Sequence, residues 1–111
     1  MLKIVPTPEF VKQVKKLAKS YNKIATDLEL LKEELLLNPR LGTDLGNKCF
    51  KIRLANSSIP TGKSGGFRVI TYYFDDKGII RLLLIYTKIQ KENISDKELS
   101  EVLRKLNENT F

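Results

Sequence analysis

Between Phe50 and Lys88 the chain reads as three strands separated by two turns, and that pattern restricts the fold more than any other feature. Phe50-Lys51-Ile52-Arg53-Leu54 alternates strictly, which sets Lys51 and Arg53 on one face and Ile52 and Leu54 on the other. Phe67 to Phe74 is rich in β-branched and aromatic residues, as strands are. Ile79 to Lys88 is apolar on both faces for most of its length, which predicts a central strand. Ala55 to Gly66 is a polar loop, and Asp75-Asp76-Lys77-Gly78 is a hairpin turn. Short connections of this kind force an antiparallel meander.

The flanks read as helices. Thr7-Pro8-Glu9 is a helix start with Thr as N-cap and Pro in the first turn. Phe10, Val14, Leu17 and Ala18 then fall on one face. Ile24, Leu28, Leu31 and Leu35 form the stripe of a second helix from about Asn22 to Leu37, ended by Asn38-Pro39. Ser95-Asp96-Lys97-Glu98 is a capping box that opens a last helix, with Leu99, Val102, Leu103 and Leu106 inward. Leu2 to Pro6 suits a short first strand, and Arg40 to Asn47 reads as a loop. The predicted order is β-α-α-β-β-β-α in a single α+β domain over residues 1–111. An antiparallel sheet has the helical hairpin on one face, and part of the other face is left to the Lys51/Arg53 row.

Charge is focused on the same segment. Residues 48–91 hold nine basic and two acidic residues, a net charge of +7, which is the formal charge of the whole chain. A basic field concentrated on a sheet suits a polyanionic partner. The 111 residues include no histidine and one cysteine, Cys49. Ser-His and Cys-His catalysis and Cys/His zinc sites are therefore excluded, and no metal or other cofactor is expected. Cys49 reads as a structural thiol and is compatible with a cytoplasmic setting. No apolar run approaches a membrane span, and the N-terminus lacks the pattern of a signal peptide. Thr61-Gly62-Lys63-Ser64 is not a phosphate loop: Ser57 stands where that motif needs glycine, and a strand follows rather than a helix.

Phe50-Lys51-Ile52-Arg53-Leu54-Ala55, Gly62-Lys63-Ser64-Gly65-Gly66-Phe67-Arg68-Val69-Ile70 and Ile85-Tyr86-Thr87-Lys88, in this order, resemble the RelE/ParE toxin superfamily. The HigB-like branch is the most similar. The resemblance implies the toxin of a type II toxin–antitoxin system: a metal-independent, ribosome-dependent endoribonuclease that cuts mRNA in the A site and inhibits translation. Its implied partners are the ribosome, mRNA and a cognate antitoxin, typically a helix-turn-helix protein encoded by an adjacent gene. Matched residue by residue, it implies a catalytic set of Lys51, Arg53, Arg68 and Lys88, and a basic loop position at Lys63. Lys48, Lys77, Arg81 and Lys91 are expected as docking charge for RNA or the ribosome, and Tyr86 as a base-stacking residue. The chain departs from the best-known members at Ile89, where they carry arginine, and in having no tyrosine after Tyr86.

These residues suit RNA chemistry. Arginine is always charged and bidentate to phosphate oxygens, so Arg53 and Arg68 are expected to stabilise a phosphorane. Lysine acts as a base where like charges favour its neutral form. Lys51, two residues from Arg53, is the first candidate, with Lys88 as proton donor or phosphate clamp. The converse division suits the same chemistry. Arg68 has a structural alternative, an ion pair with Asp75 or Asp76. Two other functions use similar charge: a ParE-like gyrase inhibitor, and a basic RNA- or ribosome-binding module without cleavage.

Overall fold

The computed structural model describes residues 1–60, 65–91 and 93–108. Its elements are β1 (Lys3–Pro6), α1 (Pro8–Ala18), α2 (Ile24–Leu37), β2 (Thr43–Gly46), β3 (Cys49–Leu54), β4 (Phe67–Phe74), β5 (Ile79–Thr87) and α3 (Asp96–Glu108). The strands form one sheet in the order β1-β5-β4-β3-β2. The predicted α+β class and the antiparallel meander β3-β4-β5 are both present.

The sheet adds two details to the predicted order. β1 pairs parallel to β5, from Lys3 opposite Ile79 to Pro6 opposite Leu82, so the sheet is mixed. The stretch read as a loop contains β2, antiparallel to β3. Its reversal runs through Asn47 (φ 52) and Lys48 (φ 65), both in the left-handed region that tight hairpins demand. Asn tolerates that region, whereas lysine adopts it at a cost. The Asp44 carboxylate accepts from the Gly46 N–H at 2.7 Å and fixes the approach to the turn.

Each sheet face carries its own core. Phe10, Leu17, Ile24, Leu31 and Leu35 of the helical hairpin pack on Ile52, Leu54, Phe67, Val69, Ile80, Leu82 and Ile85. On the opposite face, Leu99 and Leu106 of α3 pack with Cys49, Ile70, Leu83, Leu84 and Tyr86. A register shift between Ile70 and Thr71 leaves Leu83 without a partner on β4, and both Leu83 and Leu84 join this second core. α1 starts where Thr7 Oγ1 accepts from the Phe10 N–H at 3.2 Å. α3 starts at the predicted box: Glu98 N–H donates to Ser95 Oγ and Ser95 N–H to Glu98 Oε1. The second face therefore differs along its width. Apolar residues of β4 and β5 lie under α3, and β3 presents its cations outside that cover.

Candidate active site

Strand register brings three of the predicted residues into one row. Arg53 on β3 lies opposite Arg68 on β4, and Arg68 lies opposite Tyr86 on β5. The next row is Lys51, Ile70 and Leu84. Residues directly opposite in an antiparallel pair have Cα atoms ~4.5–5.5 Å apart, and like charges in such a pair are destabilising. Two arginines in this relation do not serve the sheet, but they suit an anion held between them.

Gly66 makes that pairing possible. A Cβ on Gly66 would lie 2.2 Å from the Leu54 carbonyl oxygen and 2.9 Å from the Asn56 nitrogen. Only glycine lets the start of β4 come so close to the end of β3. The glycine of the Gly-Gly-Phe-Arg motif thus has a mechanical role in setting Arg68 against Arg53.

The members of the row differ in exposure. Arg53 is exposed, and no ion pair joins it to an acid among the described residues. Lys51 is half-buried, and its Nζ donates to Asn93 Oδ1 at 3.0 Å. Arg68 is only 5% exposed and its Nη1 donates to the Phe67 carbonyl at 3.4 Å. The proposed pairing of Arg68 with Asp75 or Asp76 is corrected by the fold. Asp75 binds Arg40 at 3.4 Å and Lys48 at 3.6 Å at the far end of β4, ~20 Å away by strand rise.

Tyr86 is 4% exposed. Burial pushes its phenol up from the usual range; the nearby Arg68 charge pulls it down, and Glu98 adds to the rise. Lys91 Nζ lies 5.5 Å from the Tyr86 ring centroid and also pairs with Glu98. The Glu98 carboxyl is held low, first by the hydrogen bond from Lys91. A base could stack on Tyr86 only after Lys91 moved aside. Lys91, read as peripheral docking charge, belongs beside the row. A cavity of about 430 Å³ opens here, lined by Gln13, Leu84, Tyr86, Lys91, Glu98 and Val102 among others.

The other predicted residues are dispersed. Lys88 is exposed just beyond the end of β5. The chain reverses there, as Thr87 N–H donates to Gln90 Oε1 at 2.9 Å and Lys91 N–H to the Thr87 carbonyl at 3.2 Å. Lys48 lies 5.6 Å from the Phe74 ring centroid, and Lys77 is exposed in the β4–β5 turn, so both mark the far end of the sheet. Arg81, opposite Tyr72, lines a second cavity of about 330 Å³ with Thr7 and Lys105. Burial lowers its guanidinium from the usual value. Lys63 lies outside the described residues. Cys49 is 0% exposed, and burial, with a smaller contribution from Asp44, pushes its thiol up to about 12, which makes it a poor nucleophile.

The described residues contain no group of three His, Cys, Asp or Glu side chains placed to hold a metal ion. None of their helices is long and apolar enough to cross a membrane. Sequence reasoning missed Asn93, for which no motif gave a signal. It also missed the Lys91–Glu98 pair, although the capping box had already fixed Glu98 in the first turn of α3.

No protein-family model matches the chain. Solved structures do. A mutant of the E. coli toxin RelE in the free state is 18% identical, with a TM-score of 0.62 over 95% of this chain and 97% of that one. The isolated E. coli RelE toxin is 20% identical, with a TM-score of 0.58 over 96% of this chain and all of that one. At that identity the likeness is one of fold, and it spans both molecules almost entirely.

Proposed function

We propose that this chain, which has the fold of the RelE toxin, is itself the toxin of a type II toxin–antitoxin pair and an endoribonuclease that cuts mRNA in the ribosomal A site. The observation that carries this reading is the Arg53–Arg68–Tyr86 row, with Lys51 one row away and Lys88 at the strand end. Three cations, Lys51, Arg53 and Arg68, share one sheet face, and two of them are forced together by a glycine that can be nothing else.

The chemistry follows from the RNA. The 2′-oxygen attacks the adjacent phosphorus, a bond forms to give a 2′,3′-cyclic phosphate, and the bond to the 5′-oxygen breaks. Lys51 takes the proton of the 2′-hydroxyl, and Lys88 gives one to the departing 5′-oxygen. Arg53 and Arg68 donate to the non-bridging oxygens, where negative charge grows in the transition state. Arg68 acts from a buried position, where water screens its charge less than at the surface. General acid–base help contributes roughly 10²–10⁴ in rate, and the remainder falls to alignment of the mRNA, which the ribosome can supply. The antitoxin partner is expected to present an acidic segment to a protein of formal charge +7.

Primer extension on translating ribosomes tests the reading. The wild type is expected to produce new cuts at A-site codons, and Arg53→Ala and Arg68→Ala to reduce cleavage about 10²–10³-fold, the usual loss for one transition-state donor. Arg53 is exposed, so its variant separates chemistry from folding. Blocked translation without cuts would sink the nuclease and leave a ribosome-binding inhibitor.

A further inference from the structure

Lys51 stands on β3, near the open margin of the sheet, on a flexible four-carbon stem. A lysine head left free samples many rotamers, and ordering it costs conformational entropy. Here the head has an address, because Nζ donates to Asn93 Oδ1 at 3.0 Å across 42 residues of sequence.

The acceptor is not on a loose tether. On one side of Asn93, Lys91 rests against the Tyr86 ring and pairs with Glu98. On the other, Ile94 packs into the second core, and the Ser95–Glu98 box starts α3. The return segment between β5 and α3 is thus fastened at Tyr86 on β5 and at Lys51 on β3, the strands on either side of Arg68. The chemistry of the acceptor also fits. A neutral carboxamide oxygen accepts an N–H from lysine as ammonium or as free amine, so it orients the head in the base form that the reaction requires. A carboxylate in its place would favour the ammonium, which cannot take a proton.

We propose that Asn93 is a positioning residue for RNA cleavage: its side-chain oxygen holds the Lys51 amino group in place beside the arginine pair. The assignment rests on the nuclease reading above. It requires that Asn93 act through Lys51 and through nothing else.

Single-turnover cleavage of mRNA on programmed ribosomes tests it with the wild type, Asn93→Ala, Lys51→Ala and the double variant. Asn93→Ala is expected to lower the maximal rate about tenfold, as misplacement of a reacting group does, with the half-saturating toxin concentration within about twofold of wild type. In the Lys51→Ala background the same substitution is expected to change the rate by less than about twofold, because the group it positions is gone. Asn93 is exposed, and the melting temperature of Asn93→Ala should match that of the wild type. A wild type that cuts, with Asn93→Ala equally fast, overturns the assignment alone. So do losses that multiply in the double variant, or a change confined to the half-saturating concentration. A wild type that cuts nothing overturns the nuclease reading and the role of Asn93 with it.

Discussion

Cys49 shows how a residue reports its surroundings. Its thiol sits in the core between β3 and α3, pushed up to about 12 by burial and then by Asp44. An unfolded thiol titrates near 9.0, so between pH 9 and 12 the unfolded chain loses a proton that the folded chain keeps. The stability contributed by keeping Cys49 protonated is complete below pH 9 and is lost as pH rises through that window. The loss amounts to about 1.4 kcal/mol per pH unit. Denaturant unfolding measured from pH 8 to 11 is expected to show a shallower loss of stability in Cys49→Ala than in the wild type. A thiol-specific reagent at pH 8 should leave the native protein unmodified and label it after unfolding. Arg53 and Lys51 were legible at this scale because strict alternation along β3 fixes which side chains share a face. The burial of Arg68 was not legible, since it depends on the tertiary packing around the start of β4.

At the scale of elements, the approach of β3 to β4 depends on Gly66. Gly66→Ala places a methyl group 2.2 Å from the Leu54 carbonyl, so one strand must move. The expected cost is about 1–3 kcal/mol, seen in thermal unfolding, together with a fall in cleavage as Arg68 shifts away from Arg53. Ser95→Ala removes the acceptor that starts α3 and should cost about 1 kcal/mol. The starts of α1 and α3 were readable because their caps are local: Thr7, Ser95 and Glu98 act within three residues of one another or of the amide they satisfy. β2 was not readable. It is four residues, Thr-Asp-Leu-Gly, too short to show alternation. The parallel direction of β1 has no local signature, because it follows from where β5 ends up in the sheet.

At the scale of the molecule, two groups of basic residues stand apart, with Arg81 in a cavity of its own. Lys51, Arg53, Arg68, Lys88 and Lys91 gather towards the β3–β5 ends beside the row, and Lys48, Lys77 and Arg40 cluster about the β4–β5 turn. The second group is ~20 Å along β4 from Arg68 and cannot share a phosphate with it. Lys48→Ala with Lys77→Ala should weaken ribosome binding and flatten its dependence on salt, by up to about one unit of log–log slope for each phosphate no longer neutralised. Cleavage at saturating toxin should stay at the wild-type rate. A filter-binding titration at several salt concentrations, run beside single-turnover cleavage, separates the two effects. The net charge of the 48–91 segment was countable from the sequence, but its division into two ends needed the register that only the assembled sheet supplies.

The strand at residues 3–6 lies beside the strand formed by residues 79–87, and nothing else in the sheet holds it. During synthesis it leaves the ribosome long before its neighbour and must wait, unpaired, until most of the domain has followed. The helical hairpin can form early, but the sheet cannot close before residues 79–87 are free. Under the proposed function, a protein that attacks ribosomes would begin to emerge from its own ribosome unarmed, because assembly of the cutting face waits until residues 79–87 have left it.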